Sequence, residues 1–520
     1  MAKKKHKSYT SPKAIRYFLS TMIIVIVLLL VQILLLILMY MGLFLRSGQS
    51  VYYAAAHVVL YFTSMLVVLS IINRKCPTAY KLAWAVPILL FPAAGGIFYI
   101  LARSRNVHRI ALARIRQSRA LLQRDLPPKY TPSRAETGNF STLPPYLQSE
   151  GFPAFAATDA LFLESGEKYH EHLLDDLKSA ERFIFLEFFI IHEGVMWDSV
   201  LEILEQKAKQ GVTVRILYDG MGSLKTLPAG YCKRLKEKGI DAKVFQKFVP
   251  LISTMQNNRD HRKIVSIDGR IAYTGGINLS DEYINQYDRF GHWLDSGIRI
   301  EGRAAEQFTR LFLEMWYTNH KADPDPTVFF GKSAQKQGKG FVIPYADSPL
   351  FESNCIKETY LSLINSAREY LYITTPYLIP GDDLLSALKI AAKSGVDVRL
   401  LTPYHGDHAV VHLISRSYYK ELSEAGVRIY EYLPGFIHSK NFVCDDRVCS
   451  VGTTNLDYRS LYLHYECGAL CFGNDAVLQV KNDFLKTLHL CRELTPEGIK
   501  KQSPPLRLFI SVMRLFEPML

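Results

Sequence analysis

Apolar and polar positions divide the chain into two regions with different rhythms. From Tyr17 to Leu45 apolar residues run almost unbroken, interrupted only by small hydroxyls and Gln32. A second run covers Val51 to Ile72, and a third covers Leu82 to Ala102 with Pro87, Pro92, Gly95 and Gly96 inside it. A helix needs about 20 apolar residues to cross a bilayer. Residues 17–102 are therefore predicted as a transmembrane region of two to three segments, 17–45, 51–72 and 82–102. The first run is too long for a signal peptide and has no small-residue cleavage site before the next span. The prolines and paired glycines leave two options for the third run: a crossing, or a bend and return buried against the other helices.

Beyond residue 160 the rhythm changes to helical patterns that end on glycine and are followed by short β-branched strands, an α/β signature with buried strands. This part repeats itself. Ser179–Ile190 (SAERFIFLEFFI) matches Ser366–Tyr377 (SAREYLYITTPY), and Lys207–Leu217 matches Ala391–Leu401. Leu235–Ile240 then matches Leu422–Val427 in the same order. Two homologous α/β halves are expected, 161–335 and 336–495, with an amphipathic tail at 496–520. The stretch 103–160, basic at first and then rich in Pro, Ser and Thr, reads as a linker.

Charge adds a direction. The net formal charge is +13, which favours anionic partners in general. Residues 1–16 form a basic tail, and Arg74, Lys75, Lys81 and the arginines from 103 to 119 flank the apolar runs. Basic flanks stay in the cytoplasm, so a cytoplasmic catalytic region on a multi-pass membrane protein is expected. The basic runs in the halves are not interleaved with aromatics, which argues against a nucleic-acid partner. Eight cysteines in 520 residues make no disulfide framework, and Cys444, Cys449, Cys467 and Cys471 read as small buried strand residues.

The chemistry lies in the last block of each half. The first half reads His261-Arg-Lys263 with Asp268 five residues on, then Gly275-Gly276-Ile-Asn278. The second reads His438-Ser-Lys440 with Asp445, then Gly452-Thr453-Thr-Asn455. Residues two apart on a strand share a face, so each histidine and its lysine address one place. If the halves pack face to face, two imidazoles, two ammonium groups and the amides of Asn278 and Asn455 converge on a receptor for a phosphodiester. One imidazole would attack phosphorus while the other hands a proton to the leaving alkoxide. Downstream, Asp295 and Glu466 are expected to fix the histidine tautomers, Asp295 behind His261 and Glu466 behind His438. Asp268 and Asp445 follow the motif strand, where a structural turn bond competes with a catalytic role.

These motifs resemble the signature of the phospholipase D superfamily over both halves. Within it, Ala83-Trp84, Phe91-Pro92, Gly95-Gly96, Tyr99, Glu187-Phe-Phe-Ile, Thr375-Pro-Tyr377 and the ending Met513–Leu520 are similar to bacterial cardiolipin synthases. The resemblance implies an enzyme without cofactor or metal. It would join two phosphatidylglycerols into cardiolipin at the bilayer through a phosphatidyl-histidine, with His261 the suggested nucleophile. Hydrolysis by a membrane phospholipase D, or another phosphatidyl transfer such as phosphatidylserine synthesis, uses the same motif, as does a phosphodiesterase or nuclease. Gly276 stands where the family commonly has serine, read here as a minor change in a tight turn.

Overall fold

The computed structural model describes residues 50–102, 105–122, 130–247, 254–319, 325–331, 336, 338–499 and 503–519, with scattered positions between 27 and 41. The basic tail and most of the first apolar run lie outside the described residues. The chain divides into two compact units, one holding residues 110–247 and 258–503, the other residues 10–109, 248–257 and 504–520.

In the first half the strands are β1 (Thr158–Leu163), β2 (Phe183–Phe188), β3 (Thr213–Asp219), β4 (Asp241–Phe245), β5 (Arg259–Asp260), β6 (Ile264–Ile267), β7 (Ile271–Gly275), β8 (His292–Leu294) and β9 (Gly297–Gly302). The second half has β10 (Phe341–Asp347), β11 (Tyr370–Thr374), β12 (Asp397–Pro403), β13 (Arg428–Tyr432), β14 (Gly435–Ile437), β15 (Asn441–Cys444), β16 (Val448–Gly452), β17 (His464–Phe472) and β18 (Cys491–Leu494). The first sheet runs β1-β9-β7-β6-β2-β3-β4, and the second runs β10-β17-β16-β15-β11-β12-β13-β18. Position for position the order is the same, with β18 added at one edge, so the duplication in sequence is a duplication of topology. The central strands β2 and β11 are buried at every residue, Glu187 and Thr374 included, as predominantly apolar strands covered on both faces are. Trp197, Phe188, Leu204 and Ile216 centre the core of the first half. The four clustered cysteines are buried on β15, β16 and β17 and are free thiols.

The stretch expected to be a linker is folded from Tyr130 onward. Ser133 and Glu136 make a reciprocal capping box that starts a short helix, and Leu143–Ser149 forms another. Phe140, Leu143 and Leu147 are buried, Tyr146 bonds Glu358, and Phe155 pairs with Val342 of β10. Prolines 144 and 145, part of the composition that suggested a linker, sit in the first helical turn, where a missing N–H costs nothing.

In the other unit the helix Ser50–Ile72 exposes Val51, Val58, Val59 and Phe62. Among the described residues it contains the one helix long and apolar enough to cross a membrane, Ala54–Ile72. The run 82–102 is not one helix. Thr78–Leu90 stops at Phe91 and Pro92–Ala102 restarts after it, and each piece is shorter than the ~20 residues a crossing needs. The two pieces fold against each other so closely that a β-carbon on Gly95 would stand 2.8 Å from the Ile88 Cα. Trp84 fills the bend, with its ring centroid 5.0 Å from Tyr99 and 5.8 Å from Phe98.

Candidate active site

Each motif histidine stands just beyond a short strand that leaves its own half. In β5, Asp260 pairs in parallel with Tyr465 of β17, and the next amide, His261 N–H, donates to the Tyr465 carbonyl at 3.0 Å. In β14, Ile437 pairs in parallel with Leu294 of β8, and His438 N–H donates to the Leu294 carbonyl at 2.7 Å. Advancing one residue along each ladder puts His261 beside Glu466 and His438 beside Asp295.

The side chains follow that register. His261 Nδ1 lies 2.9 and 3.1 Å from the two Glu466 carboxylate oxygens, and His438 Nδ1 lies 2.6 Å from Asp295 Oδ2. The pairing expected from chain order, Asp295 with His261 and Glu466 with His438, is therefore corrected: each half orients the histidine of the other. The physical cause is the parallel exchange of β5 with β17 and of β14 with β8, which local spacing does not encode. All four groups are buried. A carboxylate on Nδ1 keeps that nitrogen protonated and leaves Nε2 with its lone pair or its transferable proton.

Both rings have their basicity lowered. Burial holds His261 well below the ordinary imidazole value, and the charges of Lys263, Lys440 and His438 push it further. Burial and Lys440 also lower His438, against the pull of Asp295. The lysines are held by their own motifs: Lys263 Nζ donates to the His261 carbonyl at 2.8 Å, and Lys440 Nζ to the His438 carbonyl. Desolvation lowers Lys263 to about 8 and Lys440 to about 7. An ammonium group held this far from water is stabilised by an anion, and a phosphodiester supplies one.

The amides are spoken for in part. Asn278 accepts from Ile190 N–H at 3.0 Å and donates to the Tyr283 hydroxyl at 2.7 Å. Tyr283 in turn packs edge-on against His438, with ring centroids 5.6 Å apart. Asn455 is buried with its Oδ1 lacking a hydrogen-bond partner. Asp268 and Asp445 do not join the site. Asp268 accepts the backbone N–H groups of Glu181, Arg182 and Phe183 at 2.8–2.9 Å. Asp445 accepts those of Arg368, Glu369 and Tyr370 at 2.8–2.9 Å. Each clamps the start of the central strand of its half from a left-handed turn position, at φ 56° and 51°. The third letter of the motif is structural.

Sequence reading passed over two groups. Thr453 donates its hydroxyl to Glu466 and accepts from Cys467 N–H at 3.0 Å. His464, two residues before Glu466 on β17, turns its ring to within 5.3 Å of the His261 ring. Burial drives its basicity down to about 3, so this third imidazole is neutral at ordinary pH. The alternation of β17 carried that signal, because residues 464 and 466 share a face.

Gly276 is the counterpart of Thr453, and its place is not minor. A β-carbon there would overlap Asp295 Oδ1 and stand 2.7 Å from its Cγ. The Asp295 carboxylate occupies the volume a side chain would take, with Oδ1 accepting from Ser296 N–H at 2.8 Å. Gly276→Ala is expected to push Asp295 off His438 and lower turnover about 10- to 100-fold, the usual cost of losing a group that orients a reactive histidine. Thr453→Ala, which leaves room, should cost less. Steady-state rates of the two variants, with melting curves to confirm folding, check the order.

The family model described as "Cardiolipin synthase, PLD-like domain" matches residues 173–316 and 360–488. One described as "Phospholipase_D-nuclease N-terminal" matches residues 63–103. A cardiolipin synthase of Geobacillus sp. (strain WCH70) is 35% identical over 87% of this chain and 91% of its own length. Cardiolipin synthase 2 of Bacillus anthracis is 38% identical over 70% of this chain and 71% of its own. An uncharacterized protein of Streptococcus mutans serotype c is 41% identical over 87% and 99%. Among solved structures, the phosphatidylserine synthase of Haemophilus influenzae Rd KW20 shares the fold, with a TM-score of 0.55 at 15% identity over 71% of this chain and 97% of that one. With the duplicated motif, the exchanged strands and these relatives in agreement, the chain belongs to the cardiolipin synthase family of phospholipase D-like enzymes.

Proposed function

We propose that the protein condenses two phosphatidylglycerols into cardiolipin and glycerol, with His261 as nucleophile and His438 as proton carrier. The observation that carries the mechanism is the crossed pair of buried histidine–carboxylate couples, which leaves one Nε2 on each ring for chemistry. In the first step the His261 Nε2 lone pair forms a bond to phosphorus. The bond from phosphorus to the glycerol oxygen breaks, and His438 gives that oxygen its proton. In the second step His438 takes the proton from the free headgroup hydroxyl of another phosphatidylglycerol. That oxygen attacks phosphorus, the P–N bond breaks, and His261 is regenerated. Lys263 and Lys440 would hold the non-bridging phosphate oxygens throughout, recovering the charge that burial discourages.

Asp295 supports the reading of roles. It lacks the hydroxyl donor that Thr453 gives Glu466; Oδ1 accepts from Ser296 N–H, and Oδ2 faces His438, the ring that must bind and release a proton. Glu466, already shared with Thr453, leaves His261 a better leaving group from phosphorus. A bilayer location suits the lipid substrates. The helix Ser50–Ile72 would provide a crossing, 78–102 a bent segment returning to its starting side, and the catalytic halves would face the cytoplasm.

The purified protein in phosphatidylglycerol vesicles is expected to produce cardiolipin and free glycerol in equal amounts. Phosphatidic acid formed without cardiolipin would make the enzyme a phospholipase D and reject the synthase reading.

A further inference from the structure

We propose that His261, His464 and Glu466 form an inhibitory binding site for a transition-metal dication, zinc above all. The proposal rests on His261 as the nucleophile, and it adds a mode of regulation to that site. One ring nitrogen of each histidine and a Glu466 carboxylate oxygen lie within 4.8 Å of one another. His261 Nδ1 is 2.9 Å and His464 Nδ1 is 3.7 Å from the same oxygen, Glu466 Oε1. The side chain of His464 is 10% exposed, and its Nδ1 is shielded from solvent with no hydrogen-bond partner. Its other nitrogen is engaged at 3.4 Å by Arg459 Nε. Since Nε2 accepts from Arg459, the His464 proton sits on Nδ1, 3.7 Å from the carboxylate oxygen it faces. That carboxylate already holds a second imidazole.

Two imidazoles and one carboxylate are a donor set that suits zinc, with ligand bonds of about 2.0–2.2 Å and a tetrahedral preference. Such bonds place tetrahedral ligand atoms about 3.3–3.5 Å apart, between the 2.9 and 3.7 Å that separate the two Nδ1 atoms from Glu466 Oε1. A fourth position remains for water or a substrate oxygen. Lys263, Lys440 and Arg459 oppose a cation nearby, which sets the affinity below that of structural zinc sites. Hard cations such as magnesium, which prefer oxygen ligands and full octahedra, are poorly served.

Occupancy would stop the reaction by reversing a tautomer. In the reactive form the His261 proton sits on Nδ1, facing Glu466, and Nε2 carries the lone pair. On His464 the Nδ1 proton moves to Nε2 and ends the contact with Arg459; on His261 a zinc ion bonded to Nδ1 takes the place of the proton there, which likewise moves to Nε2. The ring stays neutral and no proton is released, but the lone pair that attacks phosphorus is gone.

The test uses the full-length protein in detergent micelles containing phosphatidylglycerol, titrated with zinc chloride and separately with magnesium chloride. Without substrate, cobalt(II) chloride is added and visible absorption recorded. We expect micromolar zinc to inhibit, EDTA to restore activity, magnesium to do nothing, and cobalt to give an intense band of low coordination number. In His464→Gln, with inhibition scored against that variant's own metal-free rate, zinc inhibition and cobalt binding are each expected to weaken about 10-fold or more. Equal zinc sensitivity of His464→Gln and wild type, or no cobalt band from wild type, would overturn the proposal. The cobalt arm needs no turnover, so a protein that binds cobalt through His464 but makes no cardiolipin would reject the synthase reading and leave the metal site standing.

Discussion

His261→Gln is expected to abolish cardiolipin formation, to about 10⁻⁴ of wild type or below, the scale seen when the nucleophile of a covalent mechanism is removed. Alanine is the poorer choice, because Glu466 is fully buried and would lose the imidazole it faces at 2.9 Å. Leaving a buried carboxylate without its hydrogen-bond donor costs about 1–3 kcal/mol or more, enough to confuse lost chemistry with lost folding. Glutamine keeps a donor for the carboxylate and removes the nucleophilic nitrogen. Loss of His438 should read differently. A general acid contributes about 10²–10⁴-fold, and its removal leaves the attacking nitrogen in place. His438→Gln incubated with labelled phosphatidylglycerol and quenched in acid-free denaturant is expected to carry label on the protein, whereas His261→Gln should carry none. Label on His261→Gln but not on His438→Gln would exchange the two roles while leaving the covalent mechanism intact.

Much of this site was legible in the sequence because its logic is local. The spacing of His261 with Lys263 and of His438 with Lys440 marked them, though the expected shared strand face was wrong, since both pairs lie between strands and not on one, and a repeated motif in a repeated fold implied one shared centre. The common strand order of the two sheets follows from the same repetition. The pairing of carboxylates was hidden because it depends on which strand joins which across the two halves. Asp295 and Glu466 occupy equivalent places, so a pairing within each half and a pairing between them predict the same residues. Only the parallel exchange of β5 with β17 and of β14 with β8 decides it. Gly276 was misread for a related reason: what a missing side chain makes room for is set by a residue 19 positions away, Asp295. The prolines at 144 and 145 misled by position, since the first turn of a helix tolerates what its interior does not.

The crossing itself makes the second large prediction. Asp295→Asn and Glu466→Gln are each expected to reduce cardiolipin synthesis steeply. An amide behind a catalytic imidazole can hold the wrong tautomer, and in a histidine–aspartate couple that change costs about 10⁴. Loss of rate alone does not say which histidine each carboxylate serves, because the natural substrate needs both. A substrate with a good leaving group, such as the p-nitrophenyl ester of phosphatidic acid, separates them, since its departure needs no proton. With crossed pairing, Asp295→Asn should follow His438→Gln: nitrophenolate is released in a burst and the phosphatidyl-enzyme accumulates. Glu466→Gln should follow His261→Gln and show no burst. With pairing inside each half the two outcomes would be exchanged. The strands make the crossed result the expected one, because His438 N–H is fixed to Leu294, next to Asp295, at 2.7 Å, and His261 N–H to Tyr465, next to Glu466, at 3.0 Å. Neither half then holds a complete histidine–carboxylate couple. Separately expressed halves should be inactive for want of the partner carboxylate, even where each folds its own sheet.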